Sequence, residues 1–391
     1  MDNFPFAHRT NWCQETNPLS KVREELAKQD IPVLDLTVSN PTTAGFTYPN
    51  MVLSGLDSLH NFSYEPETCG MLSAREAVAQ YYARRHELIL SPHDIILTAS
   101  TSEAYSFLMR LLVNPGEKVL IPKPSYPLFQ YLLEINDVQF EQYPLVYNGQ
   151  KWCLDAGGLE RLVDSTTKAI IVVNPNNPTG SFLNQVEVDF LNELCGKHQL
   201  ALISDEVFFD YALTKEDGVS LGGNRKALTF VLGGLSKTLG LPQMKCAWIL
   251  ASGPQALLQE SLSRLEIIAD TYLSVNTPAQ NALEFWFDYM SGVQEQITAR
   301  VQENWRYLRA HLNDHAQLLN LQGGWSATLR LPAIKSEEEW VVEFLREDHV
   351  SVYPGYFFDF DRGAYIVLSL LTVPYEFQEA VGRIMKRLSK I

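Results

Sequence analysis

Three polar clusters each follow an apolar run of the chain: Asn174-Pro-Asn-Asn177-Pro-Thr-Gly180 after 169–173, Ser204-Asp205-Glu206 at the end of 200–204, and Gly233-Gly-Leu-Ser236-Lys237 after 229–232. A lysine amine partly stripped of water is a nucleophile toward carbonyl groups. A carboxylate and an amide beside it are what a ring-bearing Schiff-base cofactor requires. Taken singly, the first cluster is a good turn, Asp205 a helix cap and Lys237 a surface charge; the chemistry rests on their being brought together.

The elements that must do this are legible as patterns. Continuous apolar runs at 95–97, 118–121, 169–173, 200–204, 229–232 and 245–251 read as strands buried on both faces, separated by helical periodicities. Such alternation predicts a mostly parallel sheet sandwiched by helices. In open parallel sheets ligands bind beyond the carboxyl ends of the strands, so the three clusters converge if their strands are neighbours. Ser73-Ala-Arg-Glu76 predicts a capping box opening a helix through Tyr82. Ser100-Thr101-Ser102 predicts the start of a helix carrying Leu108, Leu111 and Leu112, whose N-terminal N–H groups and dipole form an anion site. Long amphipathic helices are expected past Pro278 to about Leu312, then a smaller α+β section beginning at 326–331 and ending in a helix over 376–388. The expected division is 1–45 as a segment packing on the small domain, 46–290 as the large domain and 291–391 as the small domain.

Composition sets the limits. The chain has 391 residues, 46% hydrophobic and 20% charged, with a formal net charge of −15. It is long enough for two domains, ordinary for a folded protein, and repels phosphate backbones, which argues against nucleic acid as partner. Cys13, Cys69, Cys153, Cys195 and Cys246 are scattered without CxxC spacing. That suits reduced thiols in the cytoplasm better than disulfides or a metal site. Neither a signal peptide nor an apolar run of about 20 residues is seen, so no membrane role is expected.

In order and spacing, the three clusters resemble those of the class I/II aminotransferases, the fold type I enzymes that use pyridoxal 5′-phosphate (PLP), over nearly the whole chain. The resemblance implies that Lys237 forms the Schiff base, Asp205 pairs with the pyridine nitrogen and Asn177 reaches O3′. Pro124-Ser125-Tyr126-Pro127 resembles the segment whose aromatic residue, here Tyr126, stacks on the ring. The same resemblance puts Ser100, Thr101, Ser102, Ser236 and Lys245 around the phosphate. Tyr64 then reaches the phosphate of a neighbouring subunit, which implies a homodimer with shared sites. Asn40 and Trp325 fall where the family covers the substrate.

Four positions depart from the family pattern. Val367, in Tyr365-Ile366-Val367-Leu368-Ser369, stands where an arginine grips the substrate α-carboxylate. An unpaired carboxylate in a closed pocket is costly, so a conventionally bound α-amino acid is not the expected substrate; an amine, an amino alcohol or an amino acid bound the other way round is. Arg330 and Arg362 are nearby in sequence as replacements. Phe208 replaces a tyrosine that donates to O3′, which raises the pKa of the cofactor imine. Gly234 replaces a phosphate-binding serine, and Lys245 an arginine. The expected function is amino-group transfer. The alternatives are a lyase or decarboxylase on the same fold, or a non-catalytic PLP-binding protein; the short, acidic stretch ahead of the fold is too small to be a DNA-binding domain.

Overall fold

The computed structural model describes residues 6–12, 15–213, 218–289 and 291–391; Cys13 lies outside them. Strands run in chain order as β1 (Leu34–Asp35), β2 (Ile95–Thr98), β3 (Lys118–Lys123), β4 (Gln139–Tyr147), β5 (Trp152–Leu154), β6 (Thr167–Val173) and β7 (Ala201–Asp205). They continue as β8 (Thr229–Gly234), β9 (Ala247–Ser252), β10 (Gln317–Leu318), β11 (Ser326–Leu331), β12 (Val350–Ser351), β13 (Tyr353–Pro354) and β14 (Ala364–Ser369).

Eight of them form one sheet in the order β2-β9-β8-β7-β6-β3-β4-β5. The pairs from β4 through β3, β6 and β7 to β8 are parallel, while β9 runs antiparallel to both β2 and β8. The central strands are apolar throughout because both faces are covered, and successive side chains go to opposite layers. Ile170, Val172, Leu202, Val231 and Trp248 enter one core; Ile171, Ile203, Phe230, Leu232 and Ile249 enter the other. A second sheet, β10-β11-β14-β13, is antiparallel. The N-terminal segment joins this end of the chain, β1 pairing in parallel with β12 through Leu34↔Val350 and Asp35↔Ser351.

Two local expectations are corrected. The helix Leu72–His86 begins one residue before Ser73, with Met71 at its N-cap and no side-chain cap bond, so the Ser73–Glu76 box does not form. The strand expected over 245–251 starts at Ala247, because Lys245 lies at φ 51°, in the left-handed region that ends the preceding turn.

Candidate active site

Register brings the three clusters together. Val173 pairs with Asp205, and Asp205 with Leu232, so the strand ends before Asn174, at Asp205 and before Lys237 are level across neighbouring strands. A cavity of about 580 Å³ opens there, lined by Asn177, Asp205, Phe208, Gly234, Ser236 and Lys237, by Ser100, Thr101, Ser102 and Tyr126, and by Trp325 and Val367.

Each side chain is aimed by its neighbours. In the loop after β6, Asn174 spends both ends of its amide locally, donating to the Val219 carbonyl at 2.9 Å and accepting from Leu183 N–H at 3.0 Å. Asn176 donates to the Pro124 carbonyl at 3.1 Å and to Thr179 Oγ1 at 2.9 Å, and accepts from Ser125 Oγ at 3.3 Å. Asn177 is left facing the cavity, where Ser326 Oγ reaches its Oδ1 at 3.5 Å. Gly180, at φ 67°, closes the loop; a Cβ there would stand 2.4 Å from the Gly323 carbonyl, which excludes any other residue. Gly323 N–H donates to the Gly180 carbonyl at 3.0 Å and Gly324 N–H to that of Tyr211 at 2.9 Å, which seats Trp325 in the wall.

Ser100 caps the helix Thr101–Leu112 by accepting from Glu103 N–H at 3.2 Å. One turn on, Tyr105 Oη donates to Asp205 Oδ2 at 3.0 Å, and Val207 N–H to Oδ1 at 3.2 Å. Burial nevertheless pushes Asp205 up to about 6, the two donors and the Lys237 charge acting against it. Lys237 Nζ lies 5.0 Å from the Trp325 ring centre and 5.5 Å from that of Phe208. Burial lowers its amine to about 8, opposed by Asp205. The pair is an acid and a base moved toward each other by one dry site.

Not every expected residue is here. Lys245 is exposed and does not line the cavity, because its left-handed backbone ends the turn Pro242–Met244 before β9. Asn40 is also exposed, its Oδ1 occupied by Thr42 N–H at 3.0 Å and Thr42 Oγ1 at 2.8 Å; its neighbours Thr37, Val38 and Ser39 form the wall instead. Tyr64 is 66% exposed, outside this cavity. Arg330 and Arg362 line a separate cleft of about 800 Å³, Arg330 lying 6.0 Å from the Tyr365 ring centre. Val367 is 1% exposed and packs with Trp152, Leu319, Phe358 and Phe360. At Gly234, an added Cβ would stand 2.8 Å from Ala247 Cβ, so a serine has no room.

Sequence reasoning missed Tyr105, although it lies four residues after Thr101 and hence on the same helix face. It also missed Tyr353, Phe357, Phe358 and Ser369, which complete the wall from the second sheet and carry no local motif. Tyr211 cannot stand in for the phenol absent at Phe208: its hydroxyl is committed to the Lys237 carbonyl at 2.7 Å.

No helix among the described residues is long and apolar enough to cross a membrane. A family model described as aminotransferase class I and II matches residues 31–372. The chain is 25% identical to glutamate-pyruvate aminotransferase AlaA of Haemophilus influenzae, over 95% of this chain and 94% of that one. It is 26% identical to an alanine aminotransferase of Mycobacterium bovis, over 92% and 85%. Among solved structures, alanine aminotransferase from Pyrococcus furiosus superposes with a TM-score of 0.87 at 23% identity, covering 99% of this chain and 100% of that one. Aspartate aminotransferase from Thermotoga maritima gives 0.84 at 20%, covering 98% and 100%. With the matched region running from before the first strand of the large sheet to beyond Val367, the chain belongs to the class I and II aminotransferases, a PLP-dependent family of amino-group transferases.

Proposed function

We propose that this aminotransferase holds PLP through Lys237 and takes an amino donor or acceptor that is not anchored by an α-carboxylate: an amine, an amino alcohol, or an amino acid bound the other way round. The observation that carries the second half is the charge inventory of the cavity. Among the described residues lining it, Lys237 is the one cation and Asp205 the one anion, and the wall at Val367 is apolar. A carboxylate entering there would lose its water without gaining a partner, at a cost of several kcal/mol.

The site fits the cofactor. Asp205 is a buried carboxylate that burial holds up near 6 despite the Lys237 charge, and a protonated ring nitrogen would supply it with a direct cationic partner. Asn177 and Tyr126 flank the same space, and the N-terminus of Thr101–Leu112 with Ser236 offers donors to a phosphate. Without Lys245, and with Gly234 in place of a serine, that cup has fewer donors than the family pattern. When bound, PLP supplies the electron sink that weakens bonds at the substrate carbon bearing nitrogen. Asp205 holds the ring-nitrogen proton, Tyr105 holds Asp205, and Lys237 Nζ, a base from about pH 8 upward, moves a proton at the reacting carbon.

We further propose a homodimer. Leu53, Leu59 and Phe62 are 67%, 85% and 89% exposed beside Tyr64, an apolar stretch suited to a second copy and to carrying Tyr64 toward that copy's phosphate. A cytoplasmic location is the reading of the cysteine pattern.

The test is a donor panel with purified protein and PLP: alanine and glutamate, which the names of the relatives suggest, against primary amines and amino alcohols. Turnover confined to the second group supports the reading. Turnover of alanine or glutamate at ordinary aminotransferase rates sinks the substrate half and leaves the cofactor half standing.

A further inference from the structure

Lys237 sits in the four-residue helix Leu235–Thr238. The last carbonyls of a helix lack partners within it; here Gly240 N–H reaches the Lys237 carbonyl at 3.2 Å, and the turn is buried, with Thr238, Leu239 and Leu241 at most 3% exposed, so water cannot serve the acceptor capacity that remains. Three side chains from distant parts of the chain do. Tyr211 Oη donates to the Lys237 carbonyl at 2.7 Å, Gln294 Nε2 to that of Thr238 at 3.0 Å, and Tyr48 Oη to that of Gly240 at 2.6 Å. Burial raises Tyr48 to about 12 and Tyr211 well above its ordinary value, so both hydroxyls stay protonated and remain donors at any working pH.

We propose that Tyr48, Tyr211 and Gln294 are positioning residues for Lys237: they fix the root of a long, flexible side chain whose amine must return to one place after each release. A lysine stem has four rotatable bonds, so any play at its backbone is amplified at Nζ. Tyr211 acts at both ends. Its hydroxyl holds the Lys237 carbonyl, and its ring packs edge-on at 5.0 Å against Trp325, whose own ring lies 5.0 Å from Lys237 Nζ. Gln294 belongs to the helix Ser291–Ala310, and its amide also reaches Tyr81 Oη at 3.5 Å, a hydroxyl held in turn by Asp210 at 2.7 Å. The helix that leads toward the second sheet is therefore tied to the turn of the reactive lysine. The inference rests on Lys237 as the reactive amine and is indifferent to the substrate class.

Tyr211→Phe, Tyr48→Phe and Gln294→Leu test it. In the cofactor-free proteins, the pH dependence of Lys237 labelling by trinitrobenzenesulfonate, read by peptide mass spectrometry, is measured beside amide exchange over residues 235–241. With PLP and an active donor, kcat and KM follow. The expected result is a labelling midpoint displaced from about 8 toward the ordinary lysine value of about 10.4, because a loosened turn lets the amine reach water. Exchange over 235–241 should be faster, and kcat lower by about tenfold with KM within about twofold, the signature of a misplaced reacting group. An unchanged labelling profile and kcat in Tyr211→Phe, with only a lower melting temperature, overturns the proposal. If Tyr211→Phe does not accumulate folded, Tyr48→Phe decides, since it removes a separate bond, to the Gly240 carbonyl, from a half-buried ring. A Lys237→Ala protein that still gives the visible PLP band removes the assignment of Lys237 itself, a different failure from variants that behave like wild type.

Discussion

Tyr105 Oη donates to Asp205 Oδ2 at 3.0 Å, and both residues are buried in the lining of the cavity. A helix reached from one side of the sheet thus supports a carboxylate presented by the end of β7. Burial opposes ionisation of Asp205, and the tyrosine is the side-chain donor that offsets it.

Tyr105→Phe should therefore weaken PLP binding. A hydrogen bond to a charged group is worth about 1.5–3 kcal/mol, so an increase in Kd of about ten- to a hundredfold is expected, read by titrating the cofactor-free protein with PLP in the visible range.

Asp205→Asn should stabilise the cofactor-free protein while impairing its chemistry. Asp205 is raised from 3.8 to about 6, so the folded state holds its proton longer than the unfolded chain. The stability this gives is present at low pH and lost as pH rises through about 6. Melting curves at pH 5 and pH 8 check the sign: the asparagine variant should gain on wild type at pH 8, and equal losses at both pH values would contradict it.

Phe208→Tyr restores a phenol at the cavity wall. A donor to the cofactor's phenolate oxygen favours the deprotonated imine, so the pH midpoint of the visible band should fall by about one unit. A midpoint that stays put means the hydroxyl does not reach.

Val367→Arg should recruit α-amino acids as donors, raising kcat/KM for alanine or glutamate by at least tenfold, since a paired carboxylate is worth more than about 1.4 kcal/mol in a dry site. Loss of turnover with amines alone would show the guanidinium packs elsewhere, against Trp152 or Phe360.

Gly234→Ser should cost about 1–3 kcal/mol by overpacking against Ala247, and Ala247→Gly in the same chain should recover most of it. Urea midpoints of the two variants measure both.

The central sheet was legible because strands buried on both faces must be apolar at every position, a pattern no exposed element copies. Asp205, Asn177 and Lys237 were legible for the same reason: polar residues placed directly after such runs stand out. What was not legible depended on backbone turns and on distant chain. Lys245 has the right spacing from Lys237 but a left-handed φ that sends it outward, and Asn40 is consumed by its own turn. Ser73 is preceded by Leu72, which already starts the helix from an N-cap at Met71. Tyr105 lies on a helix face with no motif around it, and the wall from Tyr353 to Ser369 is assembled by a second sheet whose register no local motif announces.

The pairing of Leu34 with Val350 has a consequence for biosynthesis. At about 5–20 residues per second, the ribosome finishes β1 roughly 15–60 s before its partner strand β12 exists. Through that interval Leu34 and Asp35 lack their strand partner, although Arg9 and Trp12 of the same segment can already meet Asp137 and Glu134, and the last strand of the large sheet, β9, is made about 100 residues ahead of β12. All strands that carry the cavity floor are therefore made before the pairing that brings Thr37, Val38 and Ser39 to its wall becomes possible.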